Sequence, residues 1–326
     1  MQNEKNRLSF ELVSEDNFSS VMKTEIEPFL SSKRKQGRFS SFDGKEIYYE
    51  YYVTENAKAS IVVSHGFTES AEKFREVYFY FLKAGYNVFS VDHRGHGNSF
   101  RPKAKPNTVN LKHFTDYVED LKFYTDSIVI PASGDLPLYL YSHSMGGAVA
   151  VRFSQDYPDY FKKVVLSSPM ICANTGMSEG LASLIGTITH TIGLGGITVP
   201  GKGKFNPGWT YINSNDTSEV RFDYYHKKRI ATDVYKTCGP SFNWVNEAMK
   251  NTKYIIKPEN IAKIKADVIL FQPETDKMVL KSYQDEFICK VKRAKTVALK
   301  NCRHEIYQST NDVLEKYYSA LFDFLG

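Results

Sequence analysis

The chain has 326 residues, of which 42% are hydrophobic and 24% charged, and its formal net charge is +5. This composition is typical of a globular protein with a sizeable core, and it excludes a disordered, collagen-like or disulfide-scaffold protein. The length fits one large α/β domain with an insertion, or two ordinary domains.

The amino-terminal region precedes the first clear strand pattern. Residues 1–38 are mostly polar and predict a loosely attached leader with one candidate helix over residues 18–30. A hairpin is predicted next, with strands on either side of Asp43-Gly44, because an Asp-Gly pair favours a tight turn.

Short aliphatic runs then alternate with helical patterns. The runs are residues 61–63, 88–91, 138–141, 164–166, 268–271 and 296–299, and the helical patterns are residues 72–84, 114–130, 148–156 and 313–325. Such alternation predicts an α/β fold with a mostly parallel central sheet and helices on both faces. The functional loops should lie at the carboxyl ends of the strands.

The alternation breaks between residues 170 and 251, a region with both tryptophans and no plausible parallel strand. Apolar residues at helical spacing predict a helix within it: Leu181, Leu184, Ile185, Ile188 and Ile192. We expect a mainly helical cap over residues 170–251, inserted into a core of residues 39–169 and 252–326.

The most informative segment is the strand that ends in Ser142-His143, followed by Ser144 and a helix. A serine between small residues at a sharp strand-to-helix turn is held above the sheet, beside the positive end of the helix dipole. Ser144 is therefore the candidate nucleophile, although small residues here could also serve close packing alone. Ser142 replaces the first glycine of the usual Gly-x-Ser-x-Gly pattern, and serine is small enough for that position.

A serine nucleophile needs a histidine as its base, which follows it in the chain in this type of fold. Three histidines follow Ser144, namely His190, His226 and His304. The first two lie in the predicted insertion, whereas His304 comes directly after a predicted strand. His304 is therefore the predicted base.

The third member should be an acid after an intervening strand. Asp276 follows the run at residues 268–271 and is the predicted acid. Glu274 is a rival in the same loop, and Asp267 lies at the opposite end of that strand.

Backbone donors must stabilise the oxyanion that forms when the serine attacks. The N–H of Met145, at the start of the helix, is one predicted donor, and the N–H of Phe67 in the loop after residues 61–63 is the other. We expect His65 to order that loop, and His96 to be structural.

Three segments resemble the α/β-hydrolase superfamily and, within it, the monoglyceride lipase and lysophospholipase group. They are Ser64-His65-Gly66-Phe67, Asp92-His93-Arg94-Gly95-His96-Gly97-Asn98-Ser99 and His143-Ser144-Met145-Gly146-Gly147. Residues 239–245 and 303–306 resemble the bacterial lysophospholipase L2 group more narrowly. The resemblance covers about residues 39–324.

This resemblance implies an α/β-hydrolase fold and a serine carboxylester hydrolase that releases a fatty acid from a single-chain lipid through an acyl-enzyme. Ser144, Asp276 and His304 map to its triad, and Phe67 and Met145 to its oxyanion donors. A carboxylesterase or thioesterase acting on small or other acyl esters is the alternative, and a catalytically silent binding module is a third reading. The cap would line an acyl channel and touch lipid, or simply pack on its own domain.

Charge and cysteine usage bear on partners and compartment. The basic runs are scattered, so no nucleic-acid partner is expected, while the small positive excess is compatible with peripheral membrane contact. The four cysteines lack metal-site spacing and predict free thiols, no metal and no cofactor. With no signal peptide pattern in residues 1–12 and no apolar span, we expect a cytoplasmic protein. The oligomeric state is left open.

Overall fold

A computed structural model describes residue 8 and residues 10–176, 188–189 and 191–326. The strands in chain order are β1 (Lys35–Ser40), β2 (Glu46–Tyr52), β3 (Ser60–Ser64), β4 (Asn87–Val91), β5 (Thr108–Val109), β6 (Leu138–His143), β7 (Lys163–Ser167), β8 (Gly239–Pro240), β9 (Asp267–Pro273) and β10 (Ala294–Leu299). The α-helices are α1 (Phe18–Val21), α2 (Glu27–Lys33), α3 (Arg75–Lys83), α4 (Thr115–Tyr124), α5 (Ile130–Ser133), α6 (Met145–Asp156), α7 (Glu219–Ala231), α8 (Phe242–Ile255), α9 (Pro258–Ile261), α10 (Lys281–Ile288) and α11 (Asn311–Leu325).

Eight of these strands form the central sheet, in the order β1-β2-β4-β3-β6-β7-β9-β10. Strand β2 is antiparallel to both of its neighbours, and the six strands from β4 to β10 in this order are all parallel. The predicted, mostly parallel α/β sheet is therefore confirmed. Each aliphatic run in the sequence corresponds to one of the parallel strands.

The parallel strands are buried on both faces. In β3, Val62 packs into a cluster with side chains of α4, α6 and α8, whereas Ile61 and Val63 pack into a cluster with side chains of α3 and α11. Successive side chains of a strand point to opposite faces, so an unbroken apolar run is what a sheet covered on both sides requires.

The described part of the amino-terminal segment, residues 10–38, is packed on the core rather than loosely attached. Phe18, Met22, Ile26 and Leu30 are buried in the same cluster as α3 and α11. They are spaced four residues apart, and a π-helical segment, Met22–Ile26, lies between α1 and α2 and keeps this spacing on one face. The expectation of a loose leader was wrong. Most residues of this segment are polar, and the four regularly spaced apolar residues were not recognised among them.

The segment between β7 and β9 contains α7, α8 and β8. Strand β8 pairs in parallel with β5, and at two residues each these strands are too short to produce an apolar run in the sequence. The expected absence of a parallel strand in this region was therefore wrong. Most of the predicted helix over residues 181–192 lies outside the described residues.

The predicted domain boundaries fall inside regular elements. Residue 38 is within β1, and residue 251 is within α8, whose Trp244, Ala248 and Ile255 pack into the core cluster beside α6. The division into leader, core and cap stays a prediction. None of the helices in the described part of the chain is both long and apolar enough to span a bilayer.

Candidate active site

Ser144 lies at the turn between β6 and α6. Its backbone has φ 52° and ψ −118°, in a region that residues other than glycine rarely adopt. Two hydrogen bonds hold this conformation: the Ser144 N–H donates to the Ser167 carbonyl over 3.1 Å, and the Met170 N–H donates to the Ser144 carbonyl over 2.8 Å. A strained residue held by its surroundings is typical of functional sites.

Two glycines after Ser144 allow neighbouring segments to approach the turn. A Cβ atom on Gly146 would lie 2.1 Å from the Ser64 carbonyl oxygen, and one on Gly147 would lie 2.6 Å from the Pro169 Cβ. The end of β3 therefore passes against the first turn of α6, which brings the loop after β3 to the serine.

Ser142, the departure from the glycine pattern, fits without disturbing the turn. Its hydroxyl is fully buried and donates a 2.8 Å hydrogen bond to the Val165 carbonyl in β7. The position tolerates a side chain because this one has a buried acceptor within reach.

Asp276 and His304 form a hydrogen-bonded pair at the ends of β9 and β10. The Nδ1–H of His304 donates to Asp276 Oδ2 over 2.7 Å, and only 4% of His304 is exposed. Asp276 is itself held by its Oδ1, which accepts from the N–H groups of Met278 and Val279 at 2.8 and 3.1 Å. This arrangement fixes the imidazole tautomer and leaves Nε2 as the basic nitrogen.

The two rival acids point elsewhere. Glu274 accepts a hydrogen bond from the Asn301 N–H over 2.8 Å and is exposed to solvent. Asp267 begins β9 at the far end of the strand and pairs with Arg293 over 3.0 Å. Of the three candidates, Asp276 is the one hydrogen-bonded to His304.

Of the two remaining candidate histidines, the structure describes His226, whose contact lies away from the pair. His226 in α7 makes a 3.0 Å hydrogen bond to the Pro207 carbonyl, inside the inserted segment. His190 lies outside the described residues.

His304 lies next to the turn that carries Ser144. Its ring centroid is 4.9 Å from that of His143, the residue before the serine. Burial lowers the pKa of His143 well below its usual value, so this neighbour is neutral near pH 7. The carboxyl ends of β6, β9 and β10 thus bring the serine, the acid and the histidine to one edge of the sheet.

The two predicted oxyanion donors lie on elements that meet at Ser144. Met145 is the first residue of α6, where N–H groups have no acceptor within the helix. In the loop that carries Phe67, His65 accepts from the His93 N–H over 2.9 Å and contacts the Gly66 carbonyl over 2.8 Å. Burial lowers the pKa of His65 to about 4. His65 is therefore neutral, and it orders the loop.

An aromatic side chain of α8 covers this loop. The ring centroids of Phe67 and Trp244 are 4.3 Å apart, and the Trp244 indole N–H donates to the Tyr117 hydroxyl over 3.2 Å. Phe67 also lies edge-on to His96, a buried residue whose ring contacts the Arg94 carbonyl. The Phe67 side chain is therefore packed against aromatic rings.

Four charged residues beside His304 have no counterpart among the predicted site residues. Glu69, Lys73, Asp216 and Glu305 form a cluster in which Lys73 contacts both glutamates. The only pattern in the sequence that points to this cluster is the i, i+4 spacing of Glu69 and Lys73, which is common on helix surfaces.

In the described part of the chain, no three His, Cys, Asp or Glu side chains are placed to hold a metal ion. None of the four cysteines forms a disulfide. A polar cavity of about 570 Å³, lined by residues such as Arg38, Arg75, Asp92 and Tyr235, contains none of the predicted site residues.

Comparisons with known proteins found similar sequences over much of this chain. Residues 55–311 match the Hydrolase_4 family model, serine aminopeptidase S33. A probable lysophospholipase L2 of Haemophilus influenzae is 25% identical over 318 residues, which cover 97% of this chain and 99% of that protein. A monoacylglycerol lipase of Mycolicibacterium smegmatis is 31% identical over 159 residues, which cover 48% of this chain and 54% of that protein.

Solved structures share the fold. The crystal structure of a soluble variant of the monoglyceride lipase of Saccharomyces cerevisiae, in complex with a substrate analogue, superposes with a TM-score of 0.69. The superposition covers 90% of this chain and 95% of that one at 17% sequence identity.

Proposed function

Because this chain belongs to the serine aminopeptidase S33 family of α/β-hydrolases, and its relatives act on esters, we propose that it hydrolyses single-chain lipid esters. The products would be a fatty acid and an alcohol, which is a glycerophosphodiester when the substrate is a lysophospholipid and glycerol when it is a monoacylglycerol. The observation that carries the chemistry is the 2.7 Å hydrogen bond between His304 and Asp276 beside the strained Ser144 turn.

In the acylation step, His304 Nε2 takes the proton of the Ser144 hydroxyl as its oxygen attacks the ester carbonyl carbon. The carbonyl oxygen becomes an oxyanion, which accepts hydrogen bonds from the N–H groups of Phe67 and Met145. Asp276 stabilises the imidazolium. The imidazolium then gives its proton to the leaving alkoxide, so that an alcohol departs and an acyl-serine remains.

In the deacylation step, water attacks the acyl-serine carbonyl. His304 takes a proton from this water and returns it to the Ser144 oxygen as the fatty acid leaves. The buried, neutral His143 adds no charge that would oppose the imidazolium in either step.

Full-length similarity to a probable lysophospholipase L2 supports the lipid substrate. The partly exposed, apolar ring of Phe67, in the loop that carries a proposed oxyanion donor, also suits an acyl chain. The family's name refers to a peptidase, and an amide substrate would use the same nucleophile, base and oxyanion donors. A direct comparison of substrates therefore has to decide between them.

We also propose that residues 170–251 form a cap and that it makes peripheral contact with membranes from the cytoplasmic side. Large apolar side chains of this segment are exposed, as expected of a surface that meets lipid. They are Ile188, Ile192, Leu194, Ile197, Trp209, Ile212 and Ile230. The absence of a disulfide among the four cysteines fits a reducing compartment.

The test is a substrate panel with matched nucleophile variants. Lysophosphatidylcholine, lysophosphatidylethanolamine, monooleoylglycerol, p-nitrophenyl acetate and leucine p-nitroanilide are each given to the wild type and to Ser144→Ala. We expect the wild type to release fatty acid from at least one of the lipids. The rate of this release should be more than 10³-fold lower in Ser144→Ala. Ser142→Ala serves as a control, since its hydroxyl is engaged within the sheet.

Each other outcome supports a different function. Turnover of acetate with none of the long-chain esters would indicate a small-ester carboxylesterase. Cleavage of the anilide alone would indicate a peptidase. Equal fatty acid release by wild type and Ser144→Ala would refute the serine mechanism.

A further inference from the structure

The cluster of Glu69, Lys73, Asp216 and Glu305, called the lysine cluster below, lies between two parts of the proposed catalytic machinery. Its side chains are largely removed from solvent: Glu69, Lys73 and Glu305 expose 5%, 9% and 14% of their side chains. Charged groups are seldom buried unless they are paired, so such a cluster is costly to maintain. Its connections indicate what it does.

Glu69 fixes the loop that carries the proposed oxyanion donor. Its Oε2 accepts the Gly66 N–H over 2.6 Å, and Gly66 directly precedes Phe67. Its Oε1 accepts the Tyr307 hydroxyl over 2.6 Å. A Cβ atom on Gly66 would lie only 2.7 Å from Oε2, so the carboxylate is pressed against the loop backbone.

Lys73 joins this carboxylate to the segment of the proposed base. Its Nζ lies 3.4 Å from Glu69 Oε1 and also forms a close ion pair with Glu305 Oε2. Glu305 is the residue after His304. One ammonium group therefore connects the carboxylate behind the oxyanion loop with the carboxylate next to the histidine.

The charges of the cluster depend on this lysine. Burial opposes the ionisation of Glu305, but Lys73 outweighs it and lowers the pKa of Glu305 to about 2. Burial and the neighbouring charge of Glu305 raise the pKa of Asp216 well above its usual value. Without Lys73, Glu69 and Glu305 would lack a cation in a region that excludes water.

The inserted segment is attached to the same loop. The Glu305 N–H donates to the Asn215 carbonyl over 3.1 Å, and the N–H groups of Thr217 and Ser218 donate to the Gln308 carbonyl at 3.3 and 3.1 Å. The histidine loop is thus held by backbone bonds to the inserted segment and by Lys73 on the side of the oxyanion loop.

We propose that Lys73 is a positioning residue for ester hydrolysis, which holds the oxyanion loop in register with the His304 loop through Glu69 and Glu305. This inference rests on the proposed function. Its consequence is specific, because a positioning lysine affects transition-state stabilisation for every ester. A lysine that merely contacts the substrate's alcohol portion affects only substrates that carry it.

The test compares Lys73→Met with a matched control, Lys228→Met. Lys228 also bridges two glutamates, Glu27 and Glu72, but contacts no predicted site residue. Both variants, Lys73→Arg and the wild type are assayed with p-nitrophenyl butyrate and with monooleoylglycerol. The inhibition constant of an alkyl trifluoromethyl ketone, which forms a tetrahedral adduct at the serine, is measured for each protein.

We expect Lys73→Met to lower kcat about 10- to 100-fold on both esters, since displacements of about 1 Å cost up to about 10²-fold. KM should change less than about twofold, and the inhibition constant of the ketone should rise by the same factor as kcat falls. Lys73→Arg should recover most of the activity because it retains the charge, and Lys228→Met should remain within about twofold of the wild type.

Other results would overturn the inference. Equal kcat values for Lys73→Met and Lys228→Met would show that Lys73 is merely structural, and a loss with monooleoylglycerol alone would make it a substrate contact. If Lys73→Met does not fold, as judged by near-UV circular dichroism, Glu305→Gln replaces it with the same expectations. A wild type that shows no Ser144-dependent hydrolysis of either ester refutes the proposed function instead.

Discussion

Replacing Gly146 by alanine sets two physical effects against each other. In an ordinary helix interior this change stabilises a protein by about 1 kcal/mol, because alanine favours the helix. Here the added Cβ would lie 2.1 Å from the Ser64 carbonyl oxygen and 2.6 Å from that of His65. Both are backbone atoms at the end of β3, so no side-chain rotation can relieve the contact.

The size of the required movement gives the expected effect. Relaxing the closer contact to 3.0 Å, the shortest that real Cβ atoms show, requires a shift of about 0.9 Å. Overpacking of this kind costs about 1–3 kcal/mol or more, which outweighs the helix preference. The displaced segment leads directly into the loop of Phe67, and a misplacement of about 1 Å can cost up to about 10²-fold in rate.

We therefore expect Gly146→Ala to lower the melting temperature by a few degrees and kcat by one to two orders of magnitude. Differential scanning calorimetry and p-nitrophenyl butyrate turnover measure the two effects. Gly196→Ala is the control, because nothing lies within 4 Å of a Cβ at that position. A Gly146→Ala protein with a raised melting temperature and unchanged kcat would refute the reasoning.

Three further changes test other parts of the structure. Asp276→Asn should keep the fold but lower kcat by about 10⁴-fold, since an amide cannot hold the same imidazole tautomer. In the same turnover assay, the kcat of Glu274→Gln should stay within about twofold of the wild type. If Glu274→Gln lost more activity than Asp276→Asn, Glu274 would be the acid. Arg221→Met should destabilise the protein by about 3–5 kcal/mol in urea unfolding, because the buried Arg221 joins a carboxylate of α3 to the amino-terminal segment and the start of α11. Lys265→Met, which breaks the exposed ion pair with Asp159, should lower the free energy of unfolding by less than about 1 kcal/mol. Similar losses of stability in Arg221→Met and Lys265→Met would contradict this reasoning. Ser142→Ala should cost about 1 kcal/mol of stability through its lost hydrogen bond while kcat is retained, and a large fall in kcat would show that this hydroxyl matters for the turn.

Much of the fold was predictable because the relevant interactions are local or periodic. A short apolar run that is bounded by polar loops and alternates with helical patterns indicates a buried strand. Strands β3, β4, β6, β7, β9 and β10 were all found in this way. The order of Ser144, Asp276 and His304 along the chain, each after a strand, likewise pointed to one sheet edge. Their catalytic roles remain proposals.

The amino-terminal segment shows where composition misled. Its polar residues outnumber the apolar ones, yet the stripe of Phe18, Met22, Ile26 and Leu30 is buried against α3 and α11. Ordinary helical periodicity favours spacings of three and four in alternation. A constant spacing of four fits the structure only because a π-helical segment interrupts the helix.

Sequence alone determined the strand pattern, the strained turn at Ser144 and the candidates for acid and base, because these depend on near neighbours in the chain. Tertiary structure alone decided that Asp276 rather than Glu274 contacts His304, and that Lys73 lies between Glu69 and Glu305. These contacts join residues far apart in sequence. Only the packed chain brings these side chains within contact distance and removes the water around them. Burial matters because two charges attract each other more strongly where water is excluded.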